Sequence, residues 1–239
     1  MIGRRVAAAA LLVGVLIGAG FVTGRAASIS LTSQTLTPYR TCTLTATPAA
    51  ATVQIDTTAR QGSATTNFGT LTTLTVSSAS AANQRTYLRF DLTRCSPAIP
   101  ATAIIRLATL RLFVSALPAV CRTVDLFRST ATWTEAGLTW NNQPFGAAIN
   151  NPATASRTGT FDVGTPVGCQ NRTANAYVVG GTVTTDVAAF VAGSSTNFGW
   201  MLRDDAEGSA TARTTTFSAK NLGTAAQGPQ LVITYVAFP

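Results

Sequence analysis

Two tryptophans and one carboxylate crowd a short stretch of the chain: Trp133-Thr134-Glu135, then Leu138-Thr139-Trp140-Asn141-Asn142-Gln143-Pro144. An indole has a flat apolar face and a polar edge, so it either stacks on a ring or fills a core. The core role is the expected one here. Trp133 would sit at a strand end, Trp140 would pin the following loop, and Glu135 would bond nearby backbone amides. Tyr87, Arg89 and Asp91 alternate with Leu88, Phe90 and Leu92, which puts polar and apolar trios on opposite faces of one strand. The apolar trio belongs to a core. The polar trio either meets a ligand or pairs with neighbouring strands. Arg111 repeats the pattern: it shares a face with Leu107, Thr109 and Phe113, against Ala108, Leu110, Leu112 and Val114. Arg203 repeats it with Gly199 and Met201, against Phe198, Trp200 and Leu202. Guanidinium groups suit carboxylates because they donate two parallel hydrogen bonds.

The chain has no histidine. Ser-His-Asp and Cys-His catalysis are therefore excluded, as are zinc sites with imidazole ligands. A glycosidase needs two carboxylates roughly 5–10 Å apart, and no pair can be assigned from spacing, so no enzymatic activity is expected. Asp204-Asp205-x-Glu207 is the one acidic cluster. Carboxylate oxygens suit calcium, but the EF-hand spacing is missing and Gly208-Ser209 follow. An exposed loop is expected, with structural calcium as the alternative and no other cofactor.

These residues need a scaffold, and the rest of the sequence describes one. Hydrophobic residues make up 46% and charged residues 11% of 239 positions, ample for a core. The net charge is +8, yet the arginines are scattered and Lys220 is the only lysine, so nucleic acid is not an expected partner. Arg4-Arg5, the uncharged stretch 6–22 and Gly24-Arg25-Ala26 read as a signal peptide over 1–26, with a retained anchor as the alternative. After cleavage no membrane contact is expected. A lead-in linker would cover 27–40. From 41 to 239 the pattern is β throughout, in short Val/Thr/aromatic runs at 41–47, 52–57, 71–77, 86–92, 104–114, 122–133, 157–163, 176–183, 198–204, 213–218 and 231–235. One helix is expected at 184–192, closed by Gly193. The fold class is all-β: a single-domain, two-sheet antiparallel β-sandwich of jelly-roll type with one short helix. Thr-Asn-Phe-Gly occurs at 66–69 and again at 196–199, and reads as turn chemistry.

Asp56, Asn67-Phe68-Gly69, Tyr87-Leu88-Arg89-Phe90-Asp91-Leu92, the strand at 108–113, Trp133-Thr134-Glu135, 139–144, Asp186-Val187, Gly199 and the closing run 229–235 follow one another in order. This succession resembles the DNRLRE-domain family of secreted bacterial proteins. That family is related to carbohydrate-binding modules that attach to acidic polysaccharides such as alginate. At 217–221, Phe-Ser-Ala-Lys-Asn stands where relatives often have Phe-x-Ser-Arg-Glu, so Asn221 lacks a carboxylate. The four cysteines and the insertion at 164–175 look particular to a subgroup. The resemblance implies a secreted or cell-surface, non-catalytic module that binds a polysaccharide or cell-wall glycan. A structural surface or appendage protein that engages other proteins is the alternative. For an acidic glycan, the expected ligand-binding residues are Tyr87, Arg89, Arg111 and Arg203, gathered on one outer sheet face.

Cys42, Cys95, Cys121 and Cys169 form an even set behind an export signal, which favours two disulfides. A Cys95–Cys121 link is disfavoured. The strand at 104–114 lies between them and would hold their ends over ~30 Å apart, against ~5.5 Å between bridged Cα atoms. Cys42–Cys95 with Cys121–Cys169 is the favoured pairing. Mass mapping of non-reduced peptides should recover these two links and no alkylatable thiol; a Cys95–Cys121 peptide would refute the strand assignment.

Overall fold

A computed structural model describes residues 39–45, 54–178 and 180–238. The leader and the lead-in up to residue 38 lie outside the described residues. Those described belong to one compact unit, Thr37–Pro239. It is an all-β sandwich whose described residues form twelve strands and one α-helix: β1 Arg40–Thr45, β2 Gln54–Arg60, β3 Thr73–Ser78, β4 Gln84–Phe90, β5 Ile104–Arg111, β6 Phe113–Ala116, β7 Arg122–Arg128, β8 Gly159–Val163, β9 Ala176–Tyr177, α1 Thr184–Val191, β10 Trp200–Asp204, β11 Arg213–Ser218 and β12 Gln230–Val236. All strand pairings are antiparallel. A small sheet has the order β1-β12-β5. The large one runs β8-β7-β10-β4-β3-β11-β6-β9, with β2 also paired to β4.

The alternation read from the sequence places the core. Leu88 and Phe90 on β4, Trp200 and Leu202 on β10, Leu110 on β5 and Ile233 on β12 meet in one hydrophobic cluster between the sheets. The run at 104–114 is not a single strand. β5 pairs with β12 in the small sheet, whereas β6 pairs with β11 and β9 in the large one. Leu112 marks the crossing, and Leu110, Leu112 and Val114 stay buried on both sides of it. The expected strand at 176–183 shortens to Ala176–Tyr177. Gly180 and Gly181 follow with φ of +101° and +67°, and a Cβ on Gly181 would lie 2.8 Å from the Leu110 carbonyl oxygen. This backbone must approach β5 closely and cannot stay regular.

The large sheet is also covered on its outer face. A second cluster joins Tyr87, Phe127 and Met201 from the strands with Trp133, Leu138 and Trp140 from the segment after β7. Both indoles are therefore core, as expected, each burying roughly 150–250 Å². Arg85, on the same face of β4, is fully enclosed. Its Nε and Nη2 donate to Glu207 Oε1 and Oε2 at 2.8 and 2.7 Å. Nη1 and Nη2 also reach the carbonyls of Gly146 and Ala148 at 3.1 and 2.6 Å. The guanidinium lies 4.5 Å from the Trp140 ring centroid.

Both disulfides pair as expected, Cys42–Cys95 and Cys121–Cys169, each with Cα atoms 5.5 Å apart. The first ties β1 of the small sheet to the turn that follows β4 of the large one.

Removing one partner of a buried pair strands the other charge, at a cost of about 3–5 kcal/mol. Arg85→Ala should lower unfolding stability by that amount in urea titrations. Arg85→Met with Glu207→Leu should recover part of the loss. A loss below ~1 kcal/mol for the single variant would show that the pair does not hold the covering segment.

Candidate functional site

The four residues expected to bind a ligand do not share one face. Leu88 and Phe90 face the core from the large sheet, and Leu110 faces it from the small sheet. Their polar neighbours Arg89 and Arg111 therefore point away from the core in opposite directions. Tyr87 and Arg203 are each 0% exposed and present nothing to a ligand. The Tyr87 hydroxyl donates to Gln143 Oε1 at 2.9 Å. The Nη atoms of Arg203 donate to the carbonyls of Asp204, Asp205 and Pro152, at 2.6, 3.1 and 2.9 Å. The alternation was right, but the outer face it pointed to is itself a second interior. Arg89 is half-buried, with its guanidinium 6.0 Å from the Trp133 ring centroid. Asp91 accepts from the Thr93 amide at 3.0 Å and sits 3.4 Å from Arg94, rather than pairing across strands.

The acidic cluster is not an exposed loop. Asp204 and Glu207 are buried. Arg122 donates to both Asp204 and Asp205, and Arg85 clamps Glu207. Each carboxylate already serves a guanidinium, and no group of three or more metal-ligating side chains occurs among the described residues. Glu135 bonds the Lys220 ammonium instead of backbone amides. The Lys220 amide in turn donates to Asp56 Oδ2 at 2.8 Å. Asp56 is 1% exposed. Burial pushes its carboxyl up to about 7, and the nearby Glu135 charge adds to the rise against the opposing pull of Lys220.

The two Thr-Asn-Phe-Gly copies make the same turn. In each, the Asn Oδ1 accepts from the Gly amide two residues on, at 3.1 Å. The Asn67 amide donates to the Glu135 and Leu138 carbonyls at 2.7 and 2.8 Å, and the Asn197 amide to the Phe90 carbonyl at 2.8 Å. These are staples between segments, in keeping with turn chemistry.

An accessible constellation does form around Arg111, with a residue the sequence reading passed over. Arg111 lies 4.6 Å above the ring of Tyr177 and donates to Gln230 Oε1 at 3.2 Å. Phe113 meets the same ring edge-on at 5.4 Å. The Tyr177 hydroxyl donates to the Gly228 carbonyl at 2.8 Å, and burial pushes its pKa up against the pull of Arg111. A cavity of about 170 Å³ opens beside Tyr177, lined also by Asn171, Arg172, Thr173 and Ala176. Arg172 is exposed. Next to it lies the outer face of the small sheet, where Thr41, Thr43 and Leu107 face solvent. The insertion at 164–175 builds the cavity wall. Cys121–Cys169 fixes it, together with Asn171, whose side chain donates to the Asp162 carbonyl at 2.7 Å. The insertion and its cysteine were the signal in the sequence; what they build was not readable from alternation.

A family model described as carbohydrate-binding module family 96 matches residues 47–235. The chain belongs to carbohydrate-binding module family 96. Among curated proteins none matches it. The matched span of this family 96 module takes in both Thr-Asn-Phe-Gly turns, the tryptophan segment and the Tyr177 cavity. In this module Trp133 and Trp140 serve packing, whereas Tyr177 is only half-buried.

A raised carboxyl pKa in the folded state has a defined sign. The stability contributed by Asp56 is fully present below about 3.8, its ordinary value, and is lost as pH rises through about 7. Asp56→Asn keeps a neutral group of the same shape. Urea midpoints should fall between pH 4 and 7 for the parent protein and fall less steeply for the variant. Equal slopes would show that Asp56 ionises normally in the fold.

Proposed function

We propose that this family 96 module binds an acidic polysaccharide outside the cell, without turning it over, at the Tyr177 cavity. The observation that carries the reading is the Arg111 guanidinium laid on Tyr177, whose ring lines an open cavity together with Arg172. A pyranose ring presents C–H groups to an aromatic face. A uronate adds a carboxylate, which a guanidinium takes up through parallel hydrogen bonds. The exposed outer face of the small sheet, where Thr41, Thr43 and Leu107 face solvent, offers further surface for a chain. Two disulfides and the signal-like leader support an extracellular setting. A non-catalytic role is supported by the family.

Titration calorimetry with an alginate-like oligosaccharide tests this reading. Arg111→Ala, Arg172→Ala and Tyr177→Ala should each weaken binding by about tenfold or more, the equivalent of a charge-assisted contact of ~1.5 kcal/mol. Arg89→Ala should leave affinity unchanged. Affinity should fall as salt rises past about 0.15 M, where the Debye length is ~8 Å. Full affinity in all three variants, or equal binding of a neutral glucan, would overturn the proposal.

A further inference from the structure

A second cavity, of about 240 Å³, opens at one end of the sandwich, lined by Arg128, Ser129, Thr130, Ser195, Thr196 and Phe198. It lies beyond the last residue of β7, whereas Tyr177 is on β9, at the opposite margin of the large sheet. Arg128 stands opposite Trp200, which stands opposite Leu88, so Arg128 begins on the core-facing row. Because β7 stops there, its head emerges where the core ends, with the side chain 35% exposed. Its charge is held near Asp186 of α1, with Nη1 3.6 Å from Oδ1. That is an ion pair beyond hydrogen-bond reach. The other Asp186 oxygen accepts from the Trp200 indole at 2.8 Å. Arg128 thus keeps its N–H donors uncommitted among the described residues. Arg85, Arg122 and Arg203 each donate to several protein acceptors.

The walls are fixed before any ligand arrives. The Ser129 amide donates to the Gly199 carbonyl at 2.8 Å, and the Trp133 indole to the Phe198 carbonyl at 2.8 Å. Asn197 staples the same turn to β4. Gly199 has φ +75°, and a Cβ there would lie 2.0 Å from the Leu88 carbonyl oxygen, so the turn can approach β4 only as glycine. Preorganised walls lower the ordering cost of binding. A volume of about 240 Å³ leaves room for a sugar ring.

We infer that this end cavity is a second ligand site, which takes a single acidic sugar residue such as a uronate. Arg128 receives the carboxylate, and Thr130, Ser195 and Thr196, which line the cavity, offer hydroxyls to those of the sugar. Phe198 supplies the apolar wall. The inference shares the acidic-glycan chemistry of the proposed function but not its site. Two separate sites, on β7 and β9, would let one module grip two chains, or one chain twice, and raise avidity without new contacts at either site.

Nuclear magnetic resonance titration of the 15N-labelled protein with sodium D-glucuronate tests it, with D-glucose as the neutral control. The amides of Ser129, Thr130, Thr196 and Phe198 should shift with glucuronate and not with glucose. Arg128→Gln should weaken that response by about tenfold or more, and Tyr177→Ala should leave it intact. Should Arg128→Gln disturb the fold, Ser195→Trp fills the cavity from its rim and should abolish the same shifts. Absent shifts at these amides, equal shifts with glucose, or shifts that survive both variants would overturn the inference. Loss of oligosaccharide binding in Tyr177→Ala with these shifts retained would uphold both sites as separate.

Discussion

The buried pair of Arg85 and Glu207 is the constraint on which the rest of the molecule depends. A charge moved from water into a protein interior loses several kcal/mol of hydration. Here both charges are fully enclosed, so the loss must be offset locally. The fork of two parallel bonds offsets part of it. The carbonyls of Gly146 and Ala148 and the backbone amide of Asn150 take the remaining donors and acceptors. Those backbone groups belong to the segment that closes over the large sheet. The segment can cover the sheet only because the pair is there, and the pair is tolerable only because the segment excludes water and satisfies it. Trp140, lying on Arg85, joins the two requirements.

This closure decides where a ligand can go. Covering the outer face of the large sheet removes Tyr87, Arg203 and most of Arg89 from contact with solvent. The small sheet, the Tyr177 cavity and the end of the sandwich stay open. The arginines divide accordingly. Arg85, Arg122 and Arg203 cross-link segments through carbonyls and carboxylates, whereas Arg128 and Arg172 line open cavities and Arg111 lies on the Tyr177 ring. Identical side chains thus do different kinds of work, set by how many protein acceptors surround each guanidinium.

Much of the fold was legible in the sequence, because period-2 alternation reports which residues share a face. It located the strands within a few residues and identified Leu88, Phe90 and Leu110 as core. It could not report that 104–114 spans two sheets, since Leu110, Leu112 and Val114 face inward on either side of the crossing. Nor could it tell solvent from a second interior. An Arg or Tyr opposite an apolar row reads as outward-facing whether water or a tryptophan segment lies beyond it. Glu135 was placed correctly in the loop but given the wrong partner, because Lys220 comes 85 residues later and spacing carries no sign of that contact. Of the site around Tyr177, Arg111 was visible from alternation. Tyr177 sits in a two-residue strand, too short for any periodicity, and Arg172 in an irregular insertion.

Lys220 has a consequence of another kind. It is the single lysine of the chain, 5% exposed and bonded to Glu135. Apart from its α-amino group, the folded protein therefore offers almost no primary amine to its surroundings. Reagents that acylate amines, reducing sugars that condense with them and proteases that cut after lysine would find little to act on until the fold opens. The surface is therefore chemically quiet toward the aldehydes that free sugar ends present.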